Sequence, residues 1–336
     1  MSLPSIEFVS GPNGVLLADG APFHVKGLSW FGAEGAKSLN HAPYGLHVHS
    51  LDWYFEFFQA HGFNVVRLFF CHQAVLENRI IPAAIHGLGK TDLHQLRHAP
   101  ELVGLSYVAM LAAVSRAAAA RGVLVLLANH RLTPSSNPGG KDSGLWYNRA
   151  VPIDAVKHSW SRLAQTMCAS EWNVFAADVQ NEPYKALWGS GDARRDWDVG
   201  AQELGDHILS VCERWLVFVQ GIGDEKGAPR TVPSEWHFWG ENLEGARSHP
   251  VRLRDPRRLV YSPHVYGPDK DPMAYFESNA FPRNLAEIWE RHFGFVTSVG
   301  IDEFELPREG LRAREPSWRP FCRPRPSTTS RLRPVS

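Results

Sequence analysis

Short apolar segments recur along the chain, and stretches with a helical spacing of apolar residues separate them. This alternation is typical of parallel strands joined by crossover helices. It predicts six strands, at Phe23 to Leu28, Val65 to Phe69, Val123 to Ala128, Val174 to Val179, Leu216 to Val219 and Leu259 to Ser262. It also predicts helices at Leu51 to His61, Leu105 to Arg121, Ile153 to Cys168 and Val199 to Cys212. Six β/α units in a chain of 336 residues predict an α/β fold, specifically a (β/α)₈ TIM barrel.

Polar residues follow the predicted strands at the points where the strands end. They are Arg67, Asn129-His130, Asn181-Glu182 and His264-Val265-Tyr266. Active sites of barrels lie at the carboxyl ends of the strands, so we expect these side chains to lie close together. A doubly wound open sheet gives the same alternation, but the first turn, at residues 27–32, lacks its glycine-rich dinucleotide-binding pattern.

The end of the chain departs from this pattern. Arg, Pro, Ser and Thr dominate from Pro316 to Ser336, a composition that favours disorder because it buries little apolar area. No seventh or eighth strand is visible in the sequence. We therefore divide the chain into a barrel at residues 1–301 and an atypical Arg/Pro-rich tail at residues 302–336, with the last two β/α units missing or altered.

The charge balance narrows the class of partner. The chain carries 35 Lys and Arg against 35 Asp and Glu, so no overall field attracts nucleic acid or an anionic membrane. No apolar run is long enough to span a membrane, and no signal peptide is visible at the N-terminus. The four cysteines lack a CxxC pair and are expected to be buried free thiols. An uncharged substrate and a monomer without cofactor fit these features.

One of the strand ends offers a catalytic carboxyl group. Hydrolysis of a glycosidic bond needs two carboxyl groups across the scissile bond. Glu182 follows an apolar strand and precedes Pro183, although Asn-Glu-Pro is also an ordinary turn sequence. With this segment, the chain resembles glycoside hydrolase family 5, the cellulase-like barrels, and the matching segments are residues 25–32, 62–68, 129–131, 144–147, 177–183 and 261–268.

The resemblance implies an activity and a set of site residues. It implies a retaining hydrolase of β-linked polysaccharide or oligosaccharide, either an endo-β-1,4-glucanase or a related β-mannanase. It implies neither a cofactor nor a metal. The resemblance also suggests that the protein is secreted. The residues that fall on active-site positions are Arg67, His130, Asn181, Glu182, His264 and Tyr266.

Their implied roles differ. Glu182 is the acid/base and is expected to be protonated, because a nearby negative charge raises a carboxyl pKa. Arg67 and Tyr266 hold the nucleophile, and His130 and His264 bind sugar hydroxyls or tune the carboxylates.

Tryptophans in the loops after strands are candidates for stacking against glucosyl units. These are Trp30, Trp146, Trp188, Trp236 and Trp239. Trp146 is the preferred substrate-binding residue because it follows a Gly/Ser-rich loop with little in the nearby sequence to bury it.

The nucleophile is the point at which the resemblance weakens. The family has a Gly-Glu-Phe-Gly-like segment at the end of the seventh strand, whereas Asp302 and Glu305 occupy the two glycine positions here. Glu303 is the candidate nucleophile, and the alternative is a catalytically impaired carbohydrate-binding relative that lacks one. A metal-dependent barrel hydrolase is a more distant alternative, suggested by the pair His47 and His49.

Overall fold

Two sheets organise the chain. The computed structural model describes residues 6–35, 41–83, 96–134, 144–224, 236–270 and 273–298. A small antiparallel sheet contains β1 (Phe8–Ser10), β2 (Leu16–Ala18) and β3 (Ala21–Pro22). A parallel sheet follows, with each strand hydrogen-bonded to the next in chain order: β4 (Gly27–Trp30), β5 (Val65–Cys71), β6 (Leu124–Arg131), β7 (Val174–Asp178), β8 (Leu216–Val219) and β9 (Leu259–Tyr261). All six carboxyl ends therefore meet at one edge.

Helices lie between the parallel strands and after the last of them. They are α1 (Leu51–Ala60), α2 (His72–Glu77), α3 (Tyr107–Ala119), α4 (Ile153–Met167), α5 (Trp197–Val211), α6 (Leu285–Trp289) and α7 (Phe295–Ser298), and a π-helical turn, Glu290–Gly294, joins the last two. Serine caps fix two of the helix starts, because the Ser50 hydroxyl accepts from the Trp53 amide and the Ser106 hydroxyl from the Ala109 amide.

Both faces of the parallel sheet are buried. Within β6, Val125 and Leu127 join the large core shared with the helices, whereas Leu124 and Leu126 point to the other face and pack in a cluster with Phe8. Successive side chains on a strand point to opposite faces, so continuous apolar strands are what a sheet covered on both sides requires.

The six predicted strands are all present, but the first one is shifted. The sequence predicted Phe23 to Leu28, whereas β4 covers Gly27–Trp30. The Asn64 side chain explains the difference, because its amide donates to the His24 carbonyl and its oxygen accepts from the Lys26 amide. These contacts hold the segment before Gly27 outside the ladder. The predicted tail, residues 302–336, lies outside the described residues.

The expectation of free thiols was wrong for two of the cysteines. Cys168 and Cys212 form a disulfide, while Cys71 is a buried free thiol. These two residues are 44 positions apart in sequence, but they follow α4 and α5, which pack side by side. No helix among the described residues is long and apolar enough to cross a membrane.

Candidate active site

Glu182 lies just beyond β7, at the edge where the parallel strands end. Its Oε1 accepts a hydrogen bond of 2.7 Å from the Tyr266 hydroxyl and lies 2.8 Å from His264 Nδ1. The backbone of Glu182 is left-handed, with φ of +43° directly before Pro183. A side chain with a Cβ is strained in this conformation, which concentrates at functional sites. The predicted residues Glu182, His264 and Tyr266 therefore come together.

A buried hydrogen-bond network holds the backbone beneath this carboxylate. Arg67 Nε donates to Asp178 Oδ2 at 2.7 Å, and Arg67 Nη2 donates to Asn181 Oδ1 at 2.9 Å. The Gln220 amide donates to both oxygens of Asp178 at 2.9 Å, and its oxygen accepts from the Glu182 amide at 2.8 Å. The network therefore fixes the chain from Asp178 to the amide of Glu182.

Sequence reasoning missed Asp178 and Gln220, which complete this network. Asp178 is 1% exposed and Gln220 is fully buried. A carboxylate that ends an otherwise apolar strand was the available signal, because buried charges need a partner. The resemblance implied that Arg67 holds the nucleophile. In the structure, the Nε and one terminal nitrogen of the Arg67 guanidinium contact the Asp178 carboxylate.

Tyr266 contacts the candidate acid. The resemblance placed its hydroxyl on the nucleophile, whose candidate Glu303 lies outside the described residues; within them the hydroxyl donates to Glu182. β9 is separated from β7 by β8 in the sheet, so the segment after β9 reaches past the end of β8 to contact Glu182 beyond β7.

The charge state expected for Glu182 is not the one that its surroundings favour. Burial favours protonation, but hydrogen bonds from His264 and Tyr266 and the positive charge of Arg67 outweigh it and lower the pKa of Glu182 below its usual value. The sequence-based expectation depended on a second carboxylate nearby. Glu303, its candidate, lies outside the described residues.

His130 forms part of the wall of the site. Its ring stacks on Phe69, with centroids 4.0 Å apart, and its Nδ1 lies 4.0 Å from the buried Glu34 carboxylate. Burial and the positive charges of Arg67 and Arg131 lower the pKa of His130 well below its usual value. Burial also raises the pKa of Glu34 above its usual value.

Trp146 was wrongly predicted as a sugar-binding surface. It is 2% exposed, and its ring packs against Trp197 with centroids 5.2 Å apart. Gly200 provides the necessary space, because a side chain there would overlap the Trp146 ring. The composition of the preceding loop gave no sign of this packing, which depends on α5.

Trp239 has the exposure that Trp146 lacks. It is 49% exposed and stacks on Tyr184, with ring centroids 4.0 Å apart and planes inclined by 15°. The next residue, Gly240, lies against Glu182 and His264. A flat aromatic surface beside the candidate acid is suited to stacking against a sugar ring.

The histidine pair that suggested a metallohydrolase is not arranged as a metal site. The His49 ring stacks on Trp53 at 3.7 Å between centroids, and the His47 ring lies against Tyr44. Both residues precede α1 and do not lie on a strand. Among the described residues, the group able to hold a metal ion is a different one, formed by His237, Glu244 and His292.

The whole-chain comparisons agree with this geometry. Residues 16–305 match the model of the cellulase family, glycosyl hydrolase family 5. The chain is 33% identical over 298 residues to an endoglucanase of Paenibacillus polymyxa, with 87% of this chain and 69% of that protein covered. It is 34% identical over 276 residues to the major extracellular endoglucanase of Xanthomonas campestris pv. campestris, covering 82% of this chain but 52% of that protein.

Solved structures give the same result. The catalytic domain of the major endoglucanase from Xanthomonas campestris pv. campestris superposes with a TM-score of 0.70 at 32% identity, covering 82% of this chain and 73% of that one. An endocellulase of Pyrococcus horikoshii in complex with cellotetraose superposes with a TM-score of 0.71 at 29% identity, covering 88% and 79%. The predicted (β/α)₈ fold and glycosidase class are confirmed. This chain belongs to glycosyl hydrolase family 5, the cellulase family.

Proposed function

We propose that this protein is an endo-acting β-1,4-glucanase that cleaves with retention of configuration, with Glu182 as its acid/base. The supporting observation is the carboxylate of Glu182 at the shared edge of the strands, contacted by His264 and Tyr266 and fixed from below by the Arg67 network. The two curated relatives described above are both endoglucanases. A β-mannanase remains the alternative within the same chemistry.

The proposed reaction has two steps. In the first, Glu182 gives its proton to the leaving glycosidic oxygen while a second carboxylate attacks the anomeric carbon. In the second, Glu182 takes a proton from water, which displaces the enzyme from the sugar. A second carboxylate about 5 Å away would also raise the pKa of Glu182, which favours the protonated form that the first step requires.

Glu303 is our candidate for this second carboxylate. It lies outside the described residues, and the family match supports it because that match continues to residue 305. A sequence-based count from Ile301 instead points nearer to Glu309. The choice therefore requires a separate variant of each residue.

We propose that Trp239 stacks against the substrate. The substrate that binds in the cleft is, in this proposal, a polysaccharide or a cello-oligosaccharide. The Pyrococcus horikoshii endocellulase was crystallised with cellotetraose. We also propose secretion, since the Xanthomonas campestris relative is extracellular and disulfides such as Cys168–Cys212 persist in oxidising compartments.

The test measures reducing-sugar release from carboxymethyl-cellulose and from β-mannan. We expect release from the cellulose derivative, and a loss of about 10²- to 10⁴-fold in Glu182→Gln, the usual contribution of general acid–base catalysis. Glu203→Gln, which changes an exposed carboxylate in α5, is the control and should retain full activity. Faster release from mannan would transfer the assignment to that substrate.

A second substrate separates the two carboxylates. Dinitrophenyl β-cellobioside has a leaving group that needs no protonation, so Glu182→Gln should still release dinitrophenol in a first turnover. Glu303→Gln should not, because no nucleophile remains. If Glu309→Gln is the variant that fails, the nucleophile lies there.

The alternative of a catalytically impaired sugar-binding relative rests on the two replaced glycine positions at Asp302 and Glu305. It predicts that the folded wild-type protein binds cellotetraose but releases no reducing sugar from any β-glucan. That result would contradict the proposed hydrolase activity.

A further inference from the structure

A group of ionisable side chains lies beside the active site and takes no part in the proposed reaction. It contains His237 and Glu244, which follow β8, and His292, which lies in the π-helical turn. One potential ligand atom from each lies within 4.8 Å of the other two. The rings of His237 and His292 are 4.0 Å apart between centroids. The two segments that carry them are far apart in sequence, so the group joins separate parts of the fold.

The orientation of each imidazole is fixed by a carboxylate behind it. Nδ1 of His237 lies 3.1 and 3.2 Å from the two oxygens of Asp224, and Nδ1 of His292 lies 3.0 Å from Glu241. In each ring, Nε2 is then the nitrogen that a metal would take. A carboxylate on the remote nitrogen is the usual support of a metal-binding histidine, because it sets the tautomer and makes the ligand more basic.

His237 points into the group with an unsatisfied nitrogen. Only 8% of its side chain is exposed, and its Nε2 makes no hydrogen bond within the part of the chain that the structure describes. The distance from Nε2 to Glu244 Oε1 is 3.7 Å, which is too long for a hydrogen bond. Two ligands of a tetrahedral Zn²⁺ lie about 3.4 Å apart, given metal–ligand distances near 2.1 Å. The spacing is therefore close to that of a shared ion.

The negative charges around the group also favour a bound cation. Asp224, Glu241 and Glu244 contribute three carboxylates, and Glu241 is fully buried. A divalent cation bound by the group would offset the negative charge of these carboxylates.

We propose that His237, Glu244 and His292 bind a divalent transition metal, with Zn²⁺ as the best match. Two imidazole nitrogens and one carboxylate oxygen form a donor set that Zn²⁺ accepts, whereas Mg²⁺ and Ca²⁺ prefer sites made of oxygen alone. The donor set leaves a fourth position for water.

The position of the site gives the metal a structural role. Phe238, next to His237, packs on Tyr266 with ring centroids 5.3 Å apart. Gly240 packs against Glu182 and His264, and its carbonyl accepts from the His264 amide at 2.9 Å. A metal that joins residues 237 and 244 to residue 292 would fix the loop that forms this wall of the active site.

The experiment measures metal directly, so its result does not depend on hydrolytic activity. The full chain, without an affinity tag, is stripped with chelator and dialysed against Zn²⁺, and bound metal is measured by mass spectrometry. Unfolding temperature is recorded with and without Zn²⁺. We expect about one tightly bound Zn²⁺ per chain and a higher unfolding temperature with the metal.

Variants separate this site from the other histidines. His237→Gln and Glu244→Gln should lose the bound Zn²⁺ and the thermal shift, whereas His158→Gln, which changes an exposed histidine in α4, should keep both. Circular dichroism shows whether each variant folds. Folded wild-type protein that retains no Zn²⁺, or His237→Gln and Glu244→Gln variants that retain as much as the wild type, would overturn the proposal.

Discussion

The two halves of the active site are built differently. In the first half, Arg67 lies within β5, Asp178 ends β7 and Asn181 follows it, and the arginine bonds to both of the other side chains. In the second half, the functional groups lie on the segments after β8 and β9, such as Trp239 and Tyr266, and both of these side chains are exposed. In the first half, the Asp178 carboxylate forms an ion pair with Arg67. The second half lies beside the group formed by His237, Glu244 and His292.

This difference separates stability from function. When a buried ion pair loses one partner, the other charge is left uncompensated. Substitutions in the first half should therefore lower the free energy of unfolding. Exposed groups on loops contribute little to folding but meet the substrate. We expect substitutions in the first half to reduce stability and activity together, and those in the second half to change binding or pH dependence.

The largest effect is expected for Asp178→Asn. It leaves the partly buried Arg67 guanidinium without its buried charge partner, at a cost of up to about 3–5 kcal/mol in the free energy of unfolding. Urea denaturation measures the loss. Glu203→Gln, which breaks an exposed pair with Lys157, should cost no more than about 1 kcal/mol. Equal losses in the two variants would contradict the contrast between a structural and an exposed half.

Gly240→Ala tests whether the second half also contains a position at which the backbone tolerates no side chain. Gly240 has φ of +85°, and an added Cβ would lie 3.1 Å from Glu182 Cγ and from His264 Cβ. The strain should cost about 1–3 kcal/mol of stability and displace the candidate acid, so that kcat falls. Gly191→Ala, at a similar φ but in open space, carries the strain alone and should keep its kcat.

Trp239→Ala should weaken substrate binding without affecting the fold. We expect KM for cello-oligosaccharides to rise about tenfold, equivalent to about 1.4 kcal/mol, while stability changes by no more than about 0.5 kcal/mol. Trp53→Ala removes another exposed tryptophan, on α1, and should leave KM unchanged. An unchanged KM in Trp239→Ala would remove this residue from the binding surface.

The smallest effect is expected for Tyr266→Phe, as a shift along the pH axis. The Tyr266 hydroxyl lowers the pKa of Glu182, so its removal raises that pKa and keeps Glu182 protonated to higher pH. Activity that requires the acid form falls as pH rises through this pKa. The alkaline limb of kcat/KM should therefore move to higher pH in the variant, and a move to lower pH would contradict the assignment.

The sequence was sufficient for features that depend on local pattern. The strands follow from apolar runs, and Asn181 and His264 follow from the rule that barrel sites lie at strand ends, whereas Arg67 lies inside β5. Asp178 and Gln220 were missed because their pairing depends on which strands become neighbours.

Trp146 was misassigned for a related reason. Its burial depends on a glycine in α5, more than fifty residues away in sequence. The Cys168–Cys212 bridge likewise depends on two helices packing together. Contacts between distant segments are thus the information that strand and loop patterns lack.

The left-handed backbone at Glu182 sets a limit on how stable this protein can become while it remains a catalyst. A glycine adopts a φ of +43° without strain, so Glu182→Gly should unfold at a higher temperature than Glu182→Ala, although neither has the acid. Selection for heat resistance alone would favour such a loss. The strain at this residue is therefore a stability cost that only selection for turnover can maintain.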